Sequence, residues 1–469
     1  MIKQYRFLIY MLLTGTLFLA GCGSSAVETS GSDTSTTTVN SSDESAAAIE
    51  EITATSSVTT SDLTTLFSDR DYEVGYEESD AVVLTLGTNG SGSGVEVAQG
   101  DASAVTIDGD VVTITEEGTY VLSGTLTDGA IIVNAPEAKV QIVLNGVDIT
   151  SADQAAIYVA DADKVFVTLA AGSKNSLANG GSFTAIDDEN VDAVIFSTSD
   201  LTMNGSGSLS VLSPGGHGIA SKDELTVTGG TYEIEALNAG MKANDELAIA
   251  DGSFTIHCSE GKGLKSETLV SVSDGTFTIV TDADDALHSD GAIMIAGGDF
   301  MISAGDDGMH ADGVLSIGGG TIDITESYEG LEGLGIEIAG GEVSVVAKDD
   351  ALNATNGADG DEFGFGFGGQ EENLDADDAS TDEESTDYSS YTAYVKISGG
   401  SLTVDAEGDG LDSNGTLEIS GGDIIVYGPT MGGNGTLDYG SSATITGGTI
   451  IAFGPSSMEV NFTSDSTQG

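Results

Sequence analysis

The sequence predicts an all-β protein, a single-stranded parallel β-helix of about 22 residues per coil, and three observations predict it. Small-residue turns recur at Gly229-Gly230, Asp251-Gly252, Asp274-Gly275, Gly297-Gly298, Gly319-Gly320 and Gly340-Gly341, a spacing of 21 to 23 residues. Between the turns stand short alternating runs such as Thr276-Phe277-Thr278-Ile279 and Ile293-Met294-Ile295, the period of a strand with one buried face. Helical stripes and the Leu/Asn ladder of a leucine-rich repeat are missing.

The chain divides in order. Lys3 and Arg6 precede an apolar run from Phe7 to Leu19 that is too short to span a bilayer, and Leu19-Ala20-Gly21-Cys22 resembles the lipobox of bacterial lipoproteins. The resemblance implies a signal peptide over 1–21, a lipid on Cys22 and a place on the extracellular face of the bacterial cell membrane. Residues 22–66, rich in Ser and Thr, read as a flexible tether. The β-helix is expected over 67–456, with less regular early coils and a cap up to Gly207, followed by a C-terminal tail over 457–469. Gly341 and Gly400 lie 59 residues apart where one coil uses about 22, so the acidic, Gly/Phe-rich block 357–392 is expected as a long disordered loop extruded from a turn. With Cys22 lipidated, Cys258 has no disulfide partner and is expected as a small core residue.

Twelve basic residues against seventy-seven acidic, a net charge of −65, exclude a nucleic-acid binder, whose phosphate contacts need Lys and Arg. That charge calls for cations. Aligning coils on the inward residues Met241, Leu264, Leu287, Met309, Leu331, Leu352 and Leu411 places Asp285, Asp307, Glu329, Asp350 and Asp409 in one column. Asp284, Asp306 and Asp349 double it, and Asp290 and Asp312 form a second column. Stacked carboxylates ~5 Å apart match the reach of Ca2+, which takes six to eight oxygens at ~2.3–2.6 Å, so these ten acids are the candidate calcium ligands. Solvated acids are the alternative. His288 and His310 stack one coil apart and could hold a transition metal with Asp290 and Asp312.

The lipobox, the tether, the Gly-Gly-terminated acidic coils and the repeated motif Asp-Asp-[Gly/Ala]-[Leu/Met]-His-[Ser/Ala]-Asp-Gly resemble the bacterial carbohydrate-binding domain-containing lipoproteins, relatives of pectate-type lyases. The motif is interrupted at Tyr328-Glu329-Gly330-Leu331-Glu332-Gly333. The resemblance implies a right-handed β-helix that binds Ca2+ through residues of the acidic columns, and an extracellular polysaccharide partner, acidic and polygalacturonate-like. Two other readings stay open. One is a calcium-dependent lyase with Lys242 or Lys265 as base; the other is an adhesin or spacer whose calcium only stabilises coils. With no Trp, a stacking platform for neutral glycans is restricted to residues such as Tyr427, Tyr439 and Phe453.

Overall fold

The structure, a computed structural model, describes residues 63–184, 189–356, 391–430, 432–456 and 460–467. It is a parallel β-solenoid of about 13 turns with ~23 residues per coil. Each central coil contributes three strands, for example Thr276–Thr281, Leu287–Ser289 and Ala292–Ile295. They belong to three parallel sheets, here the first, second and third. The expected register is observed: Ile279 pairs with Ile302, Leu287 with Met309 and Ile295 with Ile317, and all six are buried.

Local chemistry sets the corners. In the Gly-Gly turn the second glycine is left-handed, with φ of 99° at Gly298 and 91° at Gly320, a conformation that a side chain resists. A Cβ on Gly320 would also lie 2.6 Å from the Gly298 carbonyl oxygen, so the turns of successive coils pack backbone on backbone. Between the second and third sheets the bend is held by a buried serine: Ser266 Oγ accepts from Thr268 N, and Ser289 Oγ from Gly291 N, both at 3.2 Å.

The interior is one apolar cluster running the length of the solenoid. Two residues after each turn, Tyr232, Phe254, Phe277 and Phe300 stack with centroids 5.2, 4.8 and 4.4 Å apart and planes within 9°. Identical side chains at one-coil separation make such a ladder, as parallel in-register strands require. Cys258 is fully buried and free, and burial pushes its thiol up to about 12, so it behaves as a core residue.

Both ends are closed. Val95–Gln99 and Val105–Asp108 pair antiparallel with the first-coil strands Val82–Leu86 and Val111–Ile114 and so cover that coil's open edge. At the far end the expected tail bonds back onto the last coil, Thr463 N to Ala443 O at 2.7 Å and Thr467 N to Ile445 O at 3.1 Å. The body also starts earlier than Phe67. Leu63 is buried against Leu269, Ala292 and Met294 on the outside of the third sheet, a contact between residues about 200 apart that the composition of the segment does not disclose. From there the chain runs to Asp71, which accepts Thr202 Oγ1 at 2.6 Å and pairs with Lys164 Nζ at 3.0 Å. Residues 1–62, with Cys22 and nearly all of the expected tether, and 357–390 of the expected loop lie outside the described residues. The base of that loop is described: Asn356 Nδ2 donates to Tyr391 O at 2.9 Å, between the strands Leu352–Ala354 and Tyr394–Ile397.

Candidate functional site

In the second sheet each central or late coil contributes a stretch of two or three paired residues, continued into the third sheet by the longer strands Met309–Ile317 and Leu331–Ile338, and so presents one outward side chain there beside acidic turns. Successive pairings run Lys242 to Lys265, Lys265 to His288, His288 to His310, His310 to Glu332, Glu332 to Asn353 and Asn353 to Asp412. The expected stacking of His288 and His310 one coil apart falls within this column. The two lysines precede the histidines, and Lys265 is nearly buried.

In the turn before this sheet the column acids have a backbone role that spacing alone does not reveal. Asp285 Oδ1 accepts Asp307 N at 3.0 Å, and Asp307 Oδ1 accepts Glu329 N at 3.0 Å. Beyond the insertion Asp350 Oδ1 accepts Asp409 N, and Asp409 Oδ1 accepts Gly435 N. Each of these acids therefore spends one oxygen on the next coil and keeps the other for its surroundings.

The ten candidate acids fall into separate groups rather than one continuous ladder. Oxygens of Asp284, Asp285 and Asp306 lie within 4.8 Å of one another, as do those of Asp350, Asp409 and Asp412, the last of which is not among the ten candidate acids. Lys262 Nζ contacts both Asp284 oxygens at 2.9 Å, so the first group already holds a cation. Asp290 and Asp312 are drawn to the histidines instead: His288 Nε2 lies 2.9 Å from Asp290 Oδ1, and His310 Nε2 lies 3.4 Å from Asp312 Oδ1. Glu329 accepts Asn353 Nδ2 at 2.8 Å, and Asp349 sits beside the Tyr328 hydroxyl, which it pushes up to about 12.

Charge is unevenly balanced along this face. Burial opposes ionisation of Asp285, but His288, His310 and Lys262 outweigh it and hold the carboxyl down at about 2. Burial also works against a charge on His288, yet Asp285 and Asp290 raise its affinity for a proton above the ordinary imidazole value. Elsewhere acids crowd acids. Burial and the charges of Asp307, Asp285 and Asp284 push Asp306 up to about 7, and burial with Asp307 takes Glu329 to about 8. Asp350 is pushed to about 8 by burial and by the surrounding Asp409, Asp349 and Asp412. A bound divalent cation relieves this kind of crowding.

Residues 108–326 and 269–435 match the carbohydrate-binding domain-containing protein family. A relative of that description from Acetivibrio thermocellus is 38% identical over 128 residues, 27% of this chain, and the match spans 45% of that relative's length. A solved structure described as a polysaccharide lyase-like protein from C. thermocellum, determined as a gadolinium derivative, is 31% identical and has a TM-score of 0.46. It aligns over 50% of this chain and 96% of its own. The two family matches together span 108–435, more than half of the 469 residues, and on that ground the chain belongs to the carbohydrate-binding domain-containing protein family.

Proposed function

We propose that the protein binds an extracellular polysaccharide, acidic in character, through Ca2+ held on the acidic turns beside the second sheet. The observation that carries this reading is the triple Asp350, Asp409 and Asp412. Three carboxylates supply three to six of the six to eight oxygens that Ca2+ takes, and water or a ligand completes the shell. A uronate carboxylate is such a ligand. Without the metal, a polyanion meeting a chain of net charge −65 is repelled. Family membership supports the carbohydrate, and the oxygen-only triples support calcium. A lipid on Cys22 holds the solenoid at the outer membrane surface in this reading, and a Cys22→Ser chain recovered in the soluble fraction is its expected consequence.

The test is binding of the purified chain to polygalacturonate and to a neutral glucan, each with Ca2+ and with excess EDTA. Calcium-dependent binding to polygalacturonate is expected. Equal binding in EDTA removes the bridging ion, and binding to the glucan alone removes the acidic ligand.

A further inference from the structure

Around Nδ1 of His310 three carboxylate oxygens converge from three successive coils: Asp307 Oδ2 at 3.4 Å, Glu332 Oε2 at 3.5 Å and Asp285 Oδ2 at 3.8 Å. Hydrogen bonding accounts poorly for this arrangement. A ring nitrogen carries one proton at most, and a charge-assisted N–H···O bond spans ~2.7–2.9 Å. One coil earlier the same motif makes such a bond, His288 Nδ1 to Asp285 Oδ2 at 2.8 Å. At His310 every oxygen about Nδ1 stands farther off, and three residues supply them.

The separations fit a different centre. Zinc holds nitrogen and oxygen ligands at ~2.0–2.2 Å in a tetrahedron, which sets neighbouring ligand atoms about 3.3–3.6 Å apart. Ligand atoms of Asp307, His310 and Glu332 all lie within 4.8 Å of one another. The opposite ring nitrogen, Nε2, faces Asp312 Oδ1 at 3.4 Å. With a cation on the Nδ1 side, the charge of this carboxylate favours the proton on Nε2 and leaves Nδ1 with a lone pair, the part that partners of metal-bound histidines play. Asp307 is fixed by the Glu329 amide on its other oxygen, so its Oδ2 is aimed rather than free to rotate.

We propose that His310, Asp307 and Glu332 hold a divalent transition-metal ion of the zinc class, bound through Nδ1 of His310 and one oxygen of each acid. Asp285 Oδ2 stands next to this set, and Asp312 positions the ring. The site shares Asp307 with the acids considered for calcium but no residue with the Asp350, Asp409 and Asp412 triple that carries the calcium reading, and imidazole is a ligand for zinc, copper or nickel whereas Ca2+ is bound by oxygens. The His310 and Glu332 side chains remain 24% and 18% exposed, so the ion would be reachable from solvent.

The test uses the full chain, stripped with chelator and dialysed, then titrated with ZnCl2 by calorimetry and with CoCl2 followed by visible absorption. One tight equivalent of Zn2+ is expected, with Co2+ giving the intense d–d bands of a four-coordinate site. His310→Gln and Glu332→Gln should each abolish that equivalent, and Asp312→Asn, which alters only the ring's outer partner, should weaken it by ~10–100-fold. Circular dichroism checks that each variant is folded. Asp412→Asn should leave zinc binding unchanged and His310→Gln should leave Ca2+ binding unchanged, so this site and the calcium site fail separately. No Zn2+ equivalent in the parent chain, or an undiminished one in folded His310→Gln, overturns the proposal.

Discussion

Asp285 accepts the backbone N–H of Asp307 through Oδ1 at 3.0 Å and the ring of His288 through Oδ2 at 2.8 Å, so one buried carboxylate joins two coils and orients the histidine beside it. Asp285→Asn retains an acceptor for the amide but loses the charge that His288 faces, whereas Asp285→Ala strands both donors. Hydrogen bonds to a charged group contribute about 1.5–3 kcal/mol. Denaturant unfolding should rank stability as parent, Asn, then Ala, with Ala lower by about that amount or more. Asn and Ala variants of equal stability would refute the ladder.

Stability without metal should fall as the solution becomes more alkaline. Burial chiefly, with neighbouring acids, raises Asp306 to about 7 and Glu329, Asp350 and Glu246 to about 8. Their unfolded counterparts release protons near pH ~4. Between those limits the folded chain binds more protons than the unfolded one, so stability is lost as pH rises through the folded values. His288 and His310, also raised, act in the same direction above pH ~6.5. Asp285, held at about 2, works oppositely: its contribution is present above pH ~4 and is lost as pH falls toward 2. Melting in EDTA should therefore give a lower midpoint at pH 8 than at pH 5.5. Ca2+ should raise the midpoint more at pH 8, and a flat profile in EDTA contradicts the raised acids.

Asp412→Asn should reduce calcium stoichiometry by one ion and weaken polygalacturonate binding at least tenfold. The triple it completes with Asp350 and Asp409 loses one anionic ligand while the amide bonds from Asp409 N and Gly435 N stay in place. Equilibrium dialysis with radioactive calcium reads the first effect directly. Unchanged stoichiometry moves the ion to another group.

Phe277→Ala should be among the most damaging core substitutions, lowering stability by about 3–5 kcal/mol. The ring is fully buried with stacked neighbours on both faces, at 4.8 and 4.4 Å, and the parallel strands hold those neighbours too firmly for the gap to close. Phe277→Leu should cost less than half as much in the same denaturation experiment.

Replacing 357–390 by a short Gly/Ser linker should leave the unfolding midpoint within 2 °C of the parent, an effect of about 1.5 kcal/mol or less for a body of this size. The insertion departs between Asn356 and Tyr391, which already meet through Asn356 Nδ2, and the strands on either side pair with the preceding coil. A large loss would mean that the segment packs on the solenoid.

Much of this architecture can be read from spacing. In a solenoid, residues one period apart become neighbours, so arithmetic along the chain places Leu264 on Leu287 and His288 on His310 before any coordinates exist. The paired glycines follow from the same rule. Spacing says nothing about rotamers, and the division of each column acid between an amide and a ligand is a matter of rotamer. Asp290 and Asp312 illustrate the limit: their column and its place beside the histidines were legible, but the close contact of Asp290 with the His288 ring at 2.9 Å and the looser 3.4 Å approach of Asp312 to His310 were not.

By itself, then, the sequence determined the repeat, the three-sheet register and the acidic character of one face, because each depends on periodicity or composition. Only the tertiary structure decided that Leu63 and Asp71 run along the third sheet, that the last residues close the final coil and that the acids separate into distinct oxygen and mixed nitrogen–oxygen groups. Those contacts join residues at no fixed interval, and their geometry is set by packing and charge in three dimensions rather than by any period of the chain.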